Sequence, residues 1–131
     1  MPTSSRDTCG VLDEPLPVSV ESPRMAREMS RAWLRQRDLG DLVESVGIVV
    51  SELVANAVLH GGGDVRLRLA ATAGEARIEV FDSNPVFGRI PETPTRAHGR
   101  GLQLVEAFSS NWGSEGTSEG KMTWAEVAPR S

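Results

Sequence analysis

Glu52, Asn56 and His60 recur at intervals of four within SELVANAVLHGGG (residues 51–63), among Leu53, Val54, Ala57, Val58 and Leu59. That spacing lines a carboxylate, an amide and an imidazole along nearly one face of an otherwise apolar helix. An amide oxygen one turn from a carboxylate suits a magnesium ion, which prefers oxygen, takes few protein ligands and keeps several waters. The carboxylate beside it could serve as general base on an attacking hydroxyl or water. A plainer alternative has Glu52 and Asn56 at the edge of the apolar stripe, facing water. His60 could equally complement the negative end of the helix dipole.

Three further places carry candidate chemistry. Ile78 and Val80 alternate with Arg77 and Glu79, so the period of two turns Asp82 toward the core. An ionised carboxylate there costs several kcal/mol unless it is paired or hydrogen-bonded. A ligand amino group would satisfy it, as would the backbone N–H groups of the next turn. Gly99-Arg100-Gly101 opens a helix, where glycines let backbone N–H groups approach an anion at the positive helix end. A lone Gly-x-Gly is more commonly just a turn. Lys121, the only lysine, reads as a solvated strand residue or, beside a nucleotide, as a phosphate contact. Neither Gly-x-x-x-x-Gly-Lys-Ser/Thr nor Gly-x-Gly-x-x-Gly is present, which excludes the Walker and Rossmann phosphate loops.

The elements that must position these groups can be read from patterning. Residues 1–14 are polar and aperiodic and are expected to form a loose tail, leaving 15–131 as one domain. LPVSV (residues 16–20) alternates like a short strand. Ser22-Pro23 reads as N-cap and first turn of a helix reaching about Gly40, with Met25, Met29 and Trp33 as its core stripe. Arg24, Arg27, Arg31 and Arg35 lie mostly on another face, expected to be solvated. Asp41 and Glu44 resemble a capping box for the next helix, roughly Asp41 to His60, with Gly61 just past its end. Gly47 inside that helix costs about 1 kcal/mol relative to alanine, which points to something packed against it.

Val65, Leu67 and Leu69 alternate with Arg66 and Arg68, and the Ala73-Gly74 turn leads to the strand ending at Asp82. Residues 83–98, with Pro85, Pro91, Pro94 and Gly88, read as a long loop, a length usually tied to function or disorder. Leu102, Val105 and Phe108 give the next helix its apolar stripe, and two strands around Ser118-Glu119-Gly120 close the chain. Clustered helices and hairpin-paired strands predict an α+β fold, a two-layer sandwich with helices on one face of a mostly antiparallel sheet.

Composition narrows the partners. Among 131 residues, 14 basic against 18 acidic give a net charge of −4, so there is no basic footprint for nucleic acid. Hydrophobic content of 39% argues against wholesale disorder. No apolar run is expected to approach the ~20 residues of a membrane span. The first ten residues lack a basic region followed by an apolar one, unlike a secretory signal. Cys9 is the only cysteine and cannot form an internal disulfide, which suits the cytoplasm.

The order of motifs resembles the Bergerat-fold (histidine-kinase-like) ATPases and, more closely, the small anti-sigma-factor serine kinases of bacteria. ELVANAVLHG is similar to the family's first box, FDSNP to its aspartate box, HGRGLQLV to its glycine-rich box and GKMTWAEV to its closing strand. The resemblance spans about residues 15–128. It implies ATP and Mg2+ as cofactors, with Asn56 on the metal, Glu52 activating a serine hydroxyl or water, and Asp82 accepting from the adenine amino group. Gly99, Arg100 and Gly101 would shape the lid and touch the phosphates. His60, Leu102 and Lys121 join them as nucleotide-site candidates. The implied partners are a sigma factor and a STAS-type anti-anti-sigma protein phosphorylated on serine, with a homodimer possible in this group.

The aspartate box here is Asp82-Ser83-Asn84-Pro85 rather than Asp-x-Gly-x-Gly, and Pro85 stiffens the adenine-side loop. The leading expectation is therefore an ATP-dependent protein-serine kinase that regulates transcription by partner switching. Its alternative is a non-catalytic ATP-binding module that holds a protein partner without phosphotransfer.

Overall fold

A computed structural model describes residues 10–60, 63–83 and 100–129, with His60, Arg100 and Gly101 as helical backbone. The elements in chain order are β1 (Val11–Leu16), α1 (Ser22–Gln36), a 3-10 turn (Gly40–Leu42), α2 (Val43–His60), β2 (Val65–Thr72) and β3 (Glu75–Asp82). They are followed by α3 (Arg100–Phe108), β4 (Asn111–Gly116) and β5 (Lys121–Val127). The five strands form one sheet in the order β1-β2-β3-β5-β4, every pair antiparallel. α2 packs on the inner faces of β2, β3 and β5, flanked by α1 and α3. The two-layer α+β architecture is the one the patterning predicts.

Alternation sets the two faces of the sheet. Val65, Leu67, Leu69, Ala76, Ile78, Val80, Ala125 and Val127 point inward and are buried. They meet Val46, Val49, Val50, Leu53, Val54 and Ala57 of α2 in one core. A helix with the sheet below and a helix on either side must be apolar around most of its circumference. That requirement corrects the expectation about apolar runs: Gly40–Leu59 is long and apolar enough to cross a membrane by length and composition. Here it serves as the core helix.

Four local expectations also change. The first strand is Val11–Leu16, not 16–20, so residues 11–14 belong to the sheet, paired with β2, rather than to a tail. Ser19 and Val20 instead form the turn into α1. The residues 1–9 of the expected tail lie outside those described. Ser22 sits inside α1 after Glu21, and its hydroxyl donates to the Pro17 carbonyl instead of capping the helix. The buried stripe of α1 is Ala26, Ser30, Trp33 and Leu34, with Met29 packed beside it, whereas Met25 is exposed. α1 also stops earlier than Gly40, because Asp38 takes a left-handed φ of 59°. The Asp38 and Leu39 N–H groups then donate to Arg35 and Leu34, a Schellman closure.

The Gly47 expectation holds in detail. A Cβ there would lie 3.2 Å from Arg27 Cγ. Arg27 Nη1 continues across to donate to Ser51 Oγ at 3.1 Å, and Ser51 Oγ donates to the Gly47 carbonyl. One member of the arginine row therefore fastens α1 to α2. Arg24, Arg31 and Arg35 are exposed, as expected.

The outer face of the sheet is organised around Arg77. Its guanidinium lies 2.9 Å from both Glu79 and Glu126 and stacks on Trp124, 4.6 Å from the ring centroid. Burial works to lower its pKa, but hydrogen bonds and charge from Glu79 and Glu126 outweigh that and hold it above the ordinary arginine value. Trp124 in turn lies against Gly113, where a Cβ would come within 3.1 Å of the indole.

Candidate functional site

The site begins where α2 ends. From His60 only four residues intervene before Val65, which pairs in register with Asp82. The last turns of α2 therefore stand at the Asp82 end of the sheet. Asn56 and Glu52 occupy successive turns there, both half-buried, beside the buried Leu53 and Ala57. They lie at the rim of the apolar stripe, partly shielded.

Asp82 is the last residue of β3 and faces inward, its side chain only 2% exposed. β5 follows the same parity. Ala125 and Val127 are inward and buried, so counting back by two places Thr123 and Lys121 on the inner face as well. Lys121 is the register partner of Asp82, and its Nζ lies 4.0 Å from Asp82 Oδ2. The structure thus brings together two residues that the sequence places far apart.

The backbone around Asp82 is clamped. A Cβ on Gly120 would overlap the Asp82 carbonyl oxygen and lie 2.7 Å from Ser83 Cα. Gly120 is set there by a turn in which its N–H donates to Thr117 Oγ1 at 2.9 Å, while Thr117 N–H donates to the Gly120 carbonyl at 2.8 Å. On the other side, Ser83 N–H donates to the Asp64 carbonyl at 3.1 Å, and Ser83 Oγ accepts from Asp64 N–H at 2.8 Å. A Cβ on Gly63 would come within 2.9 Å of the Ser83 carbonyl group. Only glycine admits such backbone contacts at these two positions.

The remaining candidates are placed less fully. Leu102 is half-buried on α3, which packs against α2. Arg100 and Gly101 begin that helix, and His60 ends α2. Gly99, Gly61 and residues 84–98 of the expected loop lie outside the described residues. Patterning marks Gly120 only as part of a turn and Ser83 only as part of the aspartate box, and it gives no role to Gly63 or to Thr123, whose hydroxyl is 3.3 Å from Ser114 Oγ on the inner face. Counting by two from Ala125 would have found Thr123.

Residues 16–126 match the histidine kinase-like ATPase domain family. The chain belongs to that family. Among solved structures, this histidine kinase-like ATPase domain is similar to the histidine kinase domain from the Erythrobacter litoralis EL346 blue-light activated histidine kinase. The TM-score is 0.51 at 23% identity, covering 69% of this chain and 46% of that one. At that identity the likeness speaks for the fold, and this chain matches about half of the longer protein. No curated protein matches the chain.

The donor set fits the nucleotide that the family assignment supports. Among the described residues no three His, Cys, Asp or Glu side chains converge as a metal cage. A single amide oxygen, Asn56, is the kind of ligand magnesium takes when phosphates and waters fill the other positions. Asp82 offers a buried acceptor of the kind an amino group on a purine ring satisfies.

Proposed function

We propose that this histidine kinase-like ATPase domain binds ATP with magnesium in the cytoplasm and transfers the γ-phosphate to a serine of a STAS-type anti-anti-sigma protein. In the unphosphorylated state of that partner, the domain is displaced from a sigma factor that it otherwise holds inactive. Asp82 accepts from the adenine amino group, Asn56 supplies the amide oxygen for magnesium, and Glu52 takes the proton from the serine hydroxyl. By the family's pattern the N–H groups of Gly99, Arg100 and Gly101 would touch the phosphates, with His60 and Leu102 as further nucleotide-site candidates. The observation that supports this reading most is the Glu52–Asn56 pair. A nucleotide sensor has use for the amide but none for a half-buried carboxylate one turn away.

The test is incubation with magnesium, labelled ATP and anti-anti-sigma proteins encoded in the same genome. Phosphoserine on one of them is expected. Glu52→Ala should abolish transfer and keep nucleotide affinity. ATP binding without phosphoserine on any candidate would overturn the kinase reading in favour of a non-catalytic module, which the sequence Asp82-Ser83-Asn84-Pro85, with a proline and without the glycines of the family's aspartate box, favours. Acid-labile phosphohistidine on a partner would instead assign it to a histidine-kinase system.

A further inference from the structure

Lys121 has an uncommon position for a lysine. It lies on the inner face of β5, with its side chain only 18% exposed. Lysine is almost never buried on a core face unless something there uses its charge. Its neighbour across the ladder is Asp82. At 4.0 Å the ammonium and carboxylate exceed hydrogen-bonding distance, so their contact is one of charge. The two heads nonetheless lie side by side at the same end of the sheet.

Their chemistry is complementary. Ionised aspartate only accepts hydrogen bonds, and an ammonium only donates them, with three protons to offer. The edge of adenine that carries its amino group presents a donor, N6–H, directly beside an acceptor, the ring nitrogen N1. We infer that Lys121 is a base-reading residue, donating to adenine N1 while Asp82 accepts from the N6 amino group. This rests on the reading of the site as an adenine-nucleotide pocket. Guanine places a carbonyl oxygen and a ring N–H where adenine has its donor and acceptor. In this arrangement O6 would meet the Asp82 carboxylate and N1–H would meet the Lys121 ammonium. Both contacts are repulsive, and the pair discriminates by what it rejects as well as by what it binds.

The backbone supports such a role. Gly120, the residue before Lys121, is pressed against the Asp82 carbonyl, so the two strands cannot slide apart at this point without breaking that contact. Acceptor and donor are held as one unit. A lysine meant to follow mobile phosphates would gain nothing from this tie to the base-side aspartate.

The test is calorimetric titration of the full chain with ATP, with 1-deaza-ATP, in which N1 is replaced by C–H, with GTP and with AMP. Wild type should bind 1-deaza-ATP about 10- to 100-fold more weakly than ATP, the loss of one hydrogen bond to a charged group. Lys121→Met should weaken ATP by a similar factor and abolish the difference between ATP and its 1-deaza analogue. Lys121→Arg should restore part of that difference. Equal wild-type binding of ATP and 1-deaza-ATP overturns the inference while leaving the nucleotide pocket intact, and it needs no variant to fold. So does a Lys121→Met loss that is equal for both nucleotides, since Lys121 then serves only as a counter-charge. A loss seen with ATP but absent with AMP overturns it in favour of a phosphate contact. Absence of any adenine-nucleotide binding by wild type overturns the underlying site reading as well.

Discussion

Gly120 and Asp82 touch backbone to backbone across the β3–β5 pair, so closely that a methyl group on Gly120 would occupy the space of the Asp82 carbonyl oxygen. The strand end bearing the buried carboxylate is thus fixed by the following hairpin turn as well as by its own ladder.

Gly120→Ala should accordingly do two things. Displacing β3 or the turn costs stability by about 1–3 kcal/mol, the usual range for over-packing. Nucleotide affinity should fall further than the stability loss explains, because Asp82 moves with the backbone. Urea unfolding and ATP titration of the same preparation check both. Unchanged affinity in a folded variant would show that the clamp does not position the carboxylate.

Asn56→Ala should separate the metal from the base. ATP binding in the presence of magnesium should weaken about tenfold or more, consistent with loss of an oxygen ligand on a charged centre. Binding in excess chelator should be nearly the same as wild type. An equal loss under both conditions would take Asn56 off the metal.

The β2–β3 hairpin turns through Ala73 (φ 52°) and Gly74 (φ 82°), both left-handed. Alanine is strained there by about 1–2 kcal/mol, and a two-residue turn of this kind favours Asn-Gly or Gly-Gly. Ala73→Asn should raise stability by up to about 1 kcal/mol without altering ATP affinity, since the turn lies at the far end of β3 from Asp82. A lower denaturation midpoint would contradict the turn geometry.

Arg77→Met should cost on the order of 1 kcal/mol, a discounted figure because the guanidinium is a third exposed. Arg77 has a raised pKa in the fold, so its contribution is complete below the ordinary arginine range and fades only as pH rises through the still higher folded value. The difference between wild type and variant in thermal melts should therefore be flat from about pH 6 to pH 9. A marked slope between those limits would assign the effect to another group.

Much of this was legible in the sequence because strand periodicity is direct. Ile78 and Val80 fixed the side on which Asp82 lies, and the same count applied to Ala125 and Val127 reaches Lys121. What periodicity does not show is which strands adjoin. The register that sets Lys121 opposite Asp82 joins residues from different hairpins, and no local signal carries it. The first strand is hard to read for a related reason. VLDEPL holds two acidic residues and a proline, a poor strand by composition, tolerated because β1 is an edge strand pairing only with β2. Met25 looked like core by spacing, but Ala26 and Ser30 took the inward positions because α1 lies close against α2, where small residues fit.

The helix that carries Glu52 and Asn56 is also the one most deeply enclosed, between the sheet and two other helices. Its amide protons can reach solvent only when most of the domain opens. A ligand gripping that helix is therefore coupled to the whole cooperative unit, and occupancy registers as slower hydrogen exchange throughout α2 and the central strands, together with a higher melting temperature that climbs with ligand concentration.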